Sequence, residues 1–452
     1  MARWISFRHV LLAAALLAWA GAAMADVHQV RTLRIWQTET EPATVGVLSD
    51  IARRFEAAHR GVVVEIEGLA FSDLESRIAA SLAAGSPPEL AHGQPITCAA
   101  LQVKGLLMPL DDVVRAIGED NIPGEALRIC QAGGRQYGLP HAMATSLLLY
   151  RRDMADRLGV APPRSWADLL AAARALTQDT DKDGITDIYG VGVPADSLFL
   201  SIVLGELIRA NGGALFSDDN RPLLTDRRMI ETLEFLRTLL RYAPPGWERR
   251  DYRQSYESYV AGKTAILLSG HGRGAGLIER SVPEAVANEK TFGVWTKPPG
   301  PSGSAPAAQM DAEPWMVFKT AQNPELALTF LRFFYRDDNY LAYVSTVPIH
   351  LLPITRSLSR SPEYRRIPML GRWNSWLEMQ RDYLEKDQAK PTLVAEWSDL
   401  ASKPYLLDVL QSDILRDMII DVVIERMSAP DAAEKAQKRM EALLRRKGWP
   451  KP

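Results

Sequence analysis

The feature that most constrains this chain is a switch of apolar periodicity, made twice in quick succession near its amino terminus. Thr32-Leu33-Arg34-Ile35-Trp36 reads as a short strand, and Val45 to His59 then places Val47, Leu48, Ile51 and Phe55 at helical spacing. Val62-Val63-Val64-Glu65-Ile66 repeats the strand pattern, and Ser72 to Ala84 repeats the helical one through Leu74, Ile78 and Leu82, stopping at Gly85-Ser86-Pro87-Pro88. Strand, helix, strand, helix implies a parallel sheet, because parallel neighbours need a long crossover and a helix supplies it. The alternation recurs in mid-chain and around Thr291 to Tyr335, interrupted by the Gly/Pro-rich loop Pro298 to Pro306. From about Pro362 onward the pattern is helical only, with Ile414, Met418, Val422 and Ile424 on one face. The expected class is α/β with a helical carboxy-terminal region. No Pro/Ser linker divides the halves, so two lobes would be joined by strands and not by a tether.

Two lobes are expected on size, since the chain of 452 residues exceeds what one hydrophobic core usually supports. Residues 1–25 read as a cleaved signal peptide: Arg3 and Arg8 form a basic start, Val10 to Ala20 an apolar run too short to span a bilayer, and Ala23-Met24-Ala25 a small-x-small cleavage site. No cysteine near that point could accept a lipid, so the expectation is a free, soluble chain in a Gram-negative periplasm. With the leader removed, 51 basic residues face 55 acidic ones, a net charge of −4. That balance offers no broad basic surface for nucleic acid. Cys98 and Cys130 are the only cysteines. A disulfide between them and two buried free thiols both remain open.

A series of segments runs in fixed order through most of the chain. Phe55-Glu56-Ala57-Ala58-His59-Arg60-Gly61-Val62 precedes Ala83-Ala84-Gly85-Ser86-Pro87-Pro88-Glu89 and Gly105-Leu106-Leu107-Met108-Pro109-Leu110-Asp111. Gly134-Arg135-Gln136-Tyr137-Gly138-Leu139-Pro140-His141, Leu149-Tyr150-Arg151-Arg152 and Pro162-Pro163-Arg164-Ser165-Trp166-Ala167-Asp168-Leu169-Leu170 follow. Later come Tyr259-Val260-Ala261-Gly262-Lys263-Thr264-Ala265-Ile266, Asn323-Pro324-Glu325-Leu326-Ala327 and Pro348-Ile349-His350-Leu351-Leu352-Pro353-Ile354. Together they resemble the family 1 extracellular solute-binding proteins of ABC importers. The resemblance implies a two-lobed periplasmic binding protein of type II, each lobe a mainly parallel sheet flanked by helices. It places residues 26–145 and 291–352 in an N-terminal lobe and 146–290 and 353–452 in a C-terminal lobe. Crossovers are expected near Ser146 to Arg151, Lys290 to Val294 and Pro348 to Arg356. It also implies a monomer that is not membrane-embedded, a saccharide or sugar-derivative ligand, and permease subunits as partners.

Ligands of open α/β sheets sit beyond the carboxyl ends of strands. The loop after the first strand offers Gln37, Thr38, Glu39 and Glu41, and the loop after the second offers Phe71, Ser72 and Asp73. For Glu39 and Glu41 a solvated acidic turn competes with this reading, and for Phe71 a core contact does. Segments that match cleft-lining stretches of the family add Gln94, His141, His271, Arg273, Asp311 and Arg356, and either Trp373 or Trp376 could stack on a sugar ring. His271 and Arg273 stand where the family often has a stacking tryptophan. They would suit an anionic group, making a glycerol phosphate or sulfonated sugar the alternative ligand, unless Arg273 pairs with a nearby carboxylate. Asp179, Asp181, Asp183 and Asp187 alternate around Gly184 as in a calcium loop, but Gly190 stands where an EF-hand has its bidentate glutamate. A structural calcium and a self-capped aspartate turn both remain open there. No other cofactor is required. Among enzymes, an exported glycoside hydrolase is the rival, although no carboxylate pair stands out and no nucleophile elbow or zinc helix is present. Gly270-His271-Gly272-Arg273-Gly274-Ala275 imitates a dinucleotide fingerprint only weakly.

Overall fold

A computed structural model describes residues 30–70 and 73–449. The leader expectation and the candidates Phe71 and Ser72 lie outside the described residues. Two sheets organise the chain. The first has the order β2-β1-β3-β12-β6, formed by β1 (Arg31–Gln37), β2 (Val62–Gly68), β3 (Leu90–His92), β6 (Leu139–Pro140) and β12 (Pro314–Val317). The small pair β4 (Gln131–Ala132) and β5 (Arg135–Gln136) stands apart from it. The second sheet has the order β13-β11-β7-β9-β8, from β7 (Ala144–Arg151), β8 (Tyr189–Gly192), β9 (Thr264–His271), β11 (Ala308–Asp311) and β13 (Ala389–Lys390), with β10 (Phe292–Trp295) also on β7.

Both sheets are mixed. β1 runs parallel to β2 and β3, as the alternating pattern requires, and β8 runs parallel to β9. The two strands entered directly from the other sheet run in reverse: β12, reached from β11, is antiparallel to β3, and β7, reached from β6, is antiparallel to β9, β10 and β11. β7 is buried from Ala144 to Tyr150. A strand covered on both faces reads as a continuous apolar run, as this one does.

This pairing corrects two expected crossovers. Ser146 to Arg151 is the central strand of the second sheet, and the chain passes between sheets just before it, at residues 141–143. Phe292–Trp295 also pairs in the second sheet, opposite Arg151 to Leu148, so the first-lobe segment does not begin at residue 291. The passage back occurs at Ala312 and Glu313, between β11 and β12. The third crossing does fall within Pro348 to Arg356, where Leu352 bridges Met143 antiparallel. All three crossings thus run side by side beneath the gap between the sheets.

Cys98 and Cys130 form a disulfide, with Cα atoms 5.8 Å apart. It ties the helix Pro95–Val103 to the segment before β4. Among the described residues no helix is long and apolar enough to cross a membrane.

Candidate functional site

A cavity of about 720 Å³ opens between the two sheets. That lies within the range of ~300–1,000 Å³ typical of small-molecule sites. Its first-sheet wall is the loop after β1, from Thr38 to Pro42, with Leu69 and Ala70 after β2 and Gln94 after β3. All three follow the carboxyl ends of strands. Its floor is the crossing segments, through His141, Ala142, Met143, Gln309, Asp311, Glu313, His350 and Leu351.

The second-sheet wall is aromatic. The helix Ser197–Ala210 is started by Asp196, whose carboxylate accepts the Phe199 N–H at 3.2 Å. The helix Tyr252–Val260 starts with a capping box in which Asp251 accepts the Gln254 N–H at 2.8 Å and Gln254 Oε1 accepts the Asp251 N–H at 3.1 Å. These caps fix the first turns, and so fix Phe199 and Tyr252, whose rings stack at 4.6 Å with 20° between planes. Between them comes the end of β9. A Cβ at Gly272 would lie 1.9 Å from the Ile349 carbonyl, so only glycine lets this turn pack on the third crossing and present His271 and Arg273 to the cavity.

Arg273 spans the cavity. Its Nη2 lies 2.9 and 3.0 Å from the two Glu39 carboxylate oxygens, and its Nη1 bonds Glu41. Burial disfavours the guanidinium charge, but Glu39 and then Glu41 more than offset it. His271 is buried, with Nε2 3.5 Å from Gln309 Oε1, and burial, followed by the nearby Lys297 ammonium, pushes it down to about 3. It is therefore neutral at physiological pH. The expected anion pocket is thus corrected: the guanidinium is already neutralised by two carboxylates, and the imidazole carries no charge.

Below this bridge lies a second cluster. His92 Nε2 accepts the Thr38 N–H, which obliges Nδ1 to carry the proton, and Nδ1 stands 2.9 Å from Glu313 Oε2. Glu313 also accepts the Thr38 hydroxyl at 3.1 Å, and His141 Nε2 lies 3.9 Å away. Burial pushes the Glu313 carboxyl up, yet His92 and His141 outweigh burial and hold it well below the usual carboxylate range. His92, His141 and Glu313 could on spacing alone hold a metal ion. The tautomer argues against it, since a protonated Nδ1 has no lone pair to give a metal. Asp311 faces the opposite fate. Burial, then repulsion from Glu313, pushes it up to about 7, and His350 Nε2 stands 3.6 Å away.

Of the residues singled out from sequence, Glu39, Glu41, Gln94, His141, His271, Arg273 and Asp311 converge on this cavity. Gln37 does not reach it: the side chain is buried behind the loop in β1, only 1 % exposed. Arg356 lines a separate cavity of about 360 Å³ beside Arg360, Tyr364 and Arg381. Trp373 and Trp376 are both core. The Trp373 indole N–H donates to Glu279 at 2.8 Å, that of Trp376 to the Phe292 carbonyl at 3.3 Å, and the rings meet edge-on at 4.9 Å. Asp179, Asp181 and Asp183 converge within 4.8 Å of one another, each accepting backbone N–H groups of its own loop. Asp187 stands outside that group and accepts the Thr180 N–H at 2.7 Å, as well as the Thr180 hydroxyl. Sequence reasoning missed Phe199, Tyr252, Glu313 and His350. Glu313 sits in the very segment that supplied Asp311, and a carboxylate two residues on in an extended run was the available signal.

The family model described as bacterial extracellular solute-binding protein matches residues 40–340. The chain belongs to that family. Its fold is that of two-domain binding proteins: it superposes on the maltose-bound MalE3 of T. maritima with a TM-score of 0.73 at 16 % identity, covering 91 % of this chain and 100 % of that one. A ribitol complex of a solute-binding protein from Agrobacterium radiobacter K84 gives 0.72 at 19 %, covering 91 % and 98 %. By sequence, the chain is similar to the mannitol-binding protein of Pseudomonas aeruginosa, 24 % identical over 51 % of this chain and 53 % of that protein. This solute-binding protein therefore presents its cavity where the two sheets face each other, as its membership leads one to expect.

Proposed function

We propose that this chain is the substrate-binding component of an ABC importer. It captures a saccharide or polyol between its two lobes, in the periplasm after export, and hands it unchanged to membrane permease subunits. The observation that carries this reading is the cavity itself, walled by the β1–β3 loops of one sheet and by capped aromatic helices of the other. Stacked rings suit the apolar faces of a sugar, and carboxylates and amides suit its hydroxyls. The maltose, ribitol and mannitol named for similar proteins belong to the same chemical class. Hydrolysis finds little support. A glycosidase needs two carboxyl groups free to flank one bond, and here Arg273 engages Glu39 and Glu41 while His92 and Thr38 engage Glu313.

The test is thermal unfolding of the purified chain against a panel of mono- and disaccharides, hexitols, pentitols and amino sugars. A ligand at ~100 times its dissociation constant should stabilise by roughly 2.7 kcal/mol. The expected result is a selective upward shift, with the same sugar recovered intact by chromatography. Turnover of the sugar, or a shift by none of the panel, would sink the proposal.

A further inference from the structure

The cavity interior is unbalanced in charge. Glu39, Glu41, Asp311 and Glu313 all face it, and Arg273 is the guanidinium that meets them. Arg253, Glu257 and Arg280 also line it, but they stand at its exposed rim. His271 and His350 add no positive charge, because burial holds both in the neutral form. Arg273 is fully engaged by Glu39 and Glu41, and Glu313 by His92 and Thr38. That leaves the Asp311 carboxyl with no hydrogen-bond donor among the described residues, His350 Nε2 standing 3.6 Å away. A carboxylate with most of its surface covered and no donor is costly, even with 22 % of the side chain exposed, and it is displaced further toward the neutral form by Glu313 two residues on.

We propose that the ligand carries a protonated amine, and that the site selects an amino sugar or aminopolyol whose ammonium group seats against Asp311 between Glu39 and Glu313. The inference rests on the saccharide reading above and narrows it. The ammonium would supply the donors that Asp311 lacks, and a charge-assisted hydrogen bond is about twice as strong as a neutral one. A neutral sugar would place a hydroxyl there and leave the excess negative charge uncompensated. The rings of Phe199 and Tyr252 on the opposite wall would take the apolar face of the same ligand.

Isothermal titration with isosteric pairs tests this. D-glucosamine and its β-1,4-linked disaccharide would be compared with D-glucose and cellobiose, with N-acetylglucosamine as the amine neutralised. In the unmodified protein the amines should bind tenfold or more tightly than their hydroxyl counterparts, and acetylation should abolish the advantage. Asp311→Asn, with folding checked by circular dichroism, should shrink the amine-to-hydroxyl ratio by about tenfold. If the hydroxyl sugars bind as well as the amines, or if acetylation leaves affinity unchanged in the unmodified protein, the amine proposal falls and the saccharide reading stands. If neither set binds, both fall together.

Discussion

Asp311 and Glu313 are two residues apart at one passage between the sheets, and they titrate in opposite directions. Glu313 receives hydrogen from His92 and Thr38, has His141 3.9 Å away, and is held ionised. Asp311 receives none and is pushed up to about 7 by burial and by Glu313. The two should leave opposite marks on stability. The folded pKa of Asp311 is raised, so its contribution is full below the unfolded value and is lost as pH rises through about 7. Asp311→Asn should therefore be close to neutral at pH 4 and more stable than the parent at pH 8. The gain should be on the order of 2 kcal/mol, less than the bare shift implies because 22 % of the side chain is exposed. Glu313 is depressed, so its contribution is present above the unfolded value and fades as pH falls through the acid range. Glu313→Gln should cost about 1–3 kcal/mol at pH 7, and progressively less in acid, because a buried donor pair loses its charged acceptor. Urea melts of the three proteins at a series of pH values would check both; parallel curves would refute the assignment. Composition could not have separated these two carboxyls. Both were equally visible in Met310-Asp311-Ala312-Glu313, and only the placing of His92, 221 positions earlier in the chain than Glu313, decides which one is ionised.

Among the elements, those whose hydrophobic pattern is local were legible. β1, β2 and the helices after them lie where periodicity put them, because each buries one face against its neighbours. The misplaced crossovers have the opposite character. β7 is buried throughout its first seven residues and pairs with three strands drawn from far along the chain, so nothing local distinguishes a central strand from a connection. Trp373 and Trp376 misled for a related reason: a tryptophan at helical spacing fits a core and a sugar face equally, and only the acceptors Glu279 and the Phe292 carbonyl assign them to the core. The disulfide was left open by sequence because pairing depends on how the helix Pro95–Val103 sits against the segment before β4. It closes a loop of sequence separation 32. A loop of that size is worth about 3–4 kcal/mol in the chain-entropy picture. Cys98→Ala/Cys130→Ala should lower stability by that order in urea denaturation, and dithiothreitol should do the same to the parent while leaving the double variant unmoved. An unchanged midpoint would place the constraint elsewhere.

For the whole molecule, the decisive contact is the one that joins its two halves over the cavity. Glu39 and Glu41 belong to the loop after β1 in the first sheet, and Arg273 to the helix that leaves β9 in the second. The pair can form only when the lobes are near each other, so it favours the closed arrangement whatever the ligand contributes. Ligand and latch then act on the same equilibrium, and closure by differential affinity is what a binding protein of this fold requires. Arg273→Gln should shift the ligand-free protein toward the open form, raising its radius of gyration in small-angle scattering, and saturating sugar should restore the compact curve. Since the variant must spend part of its binding energy on closure, its affinity should fall, by about tenfold if the latch contributes ~1.4 kcal/mol. High salt should have a smaller effect of the same sign, because the bridge is three-quarters buried and only partly screened. If the variant's scattering curve in the absence of sugar matches that of the parent, the lobes are held by the crossing segments alone and Arg273 serves only to neutralise the two glutamates.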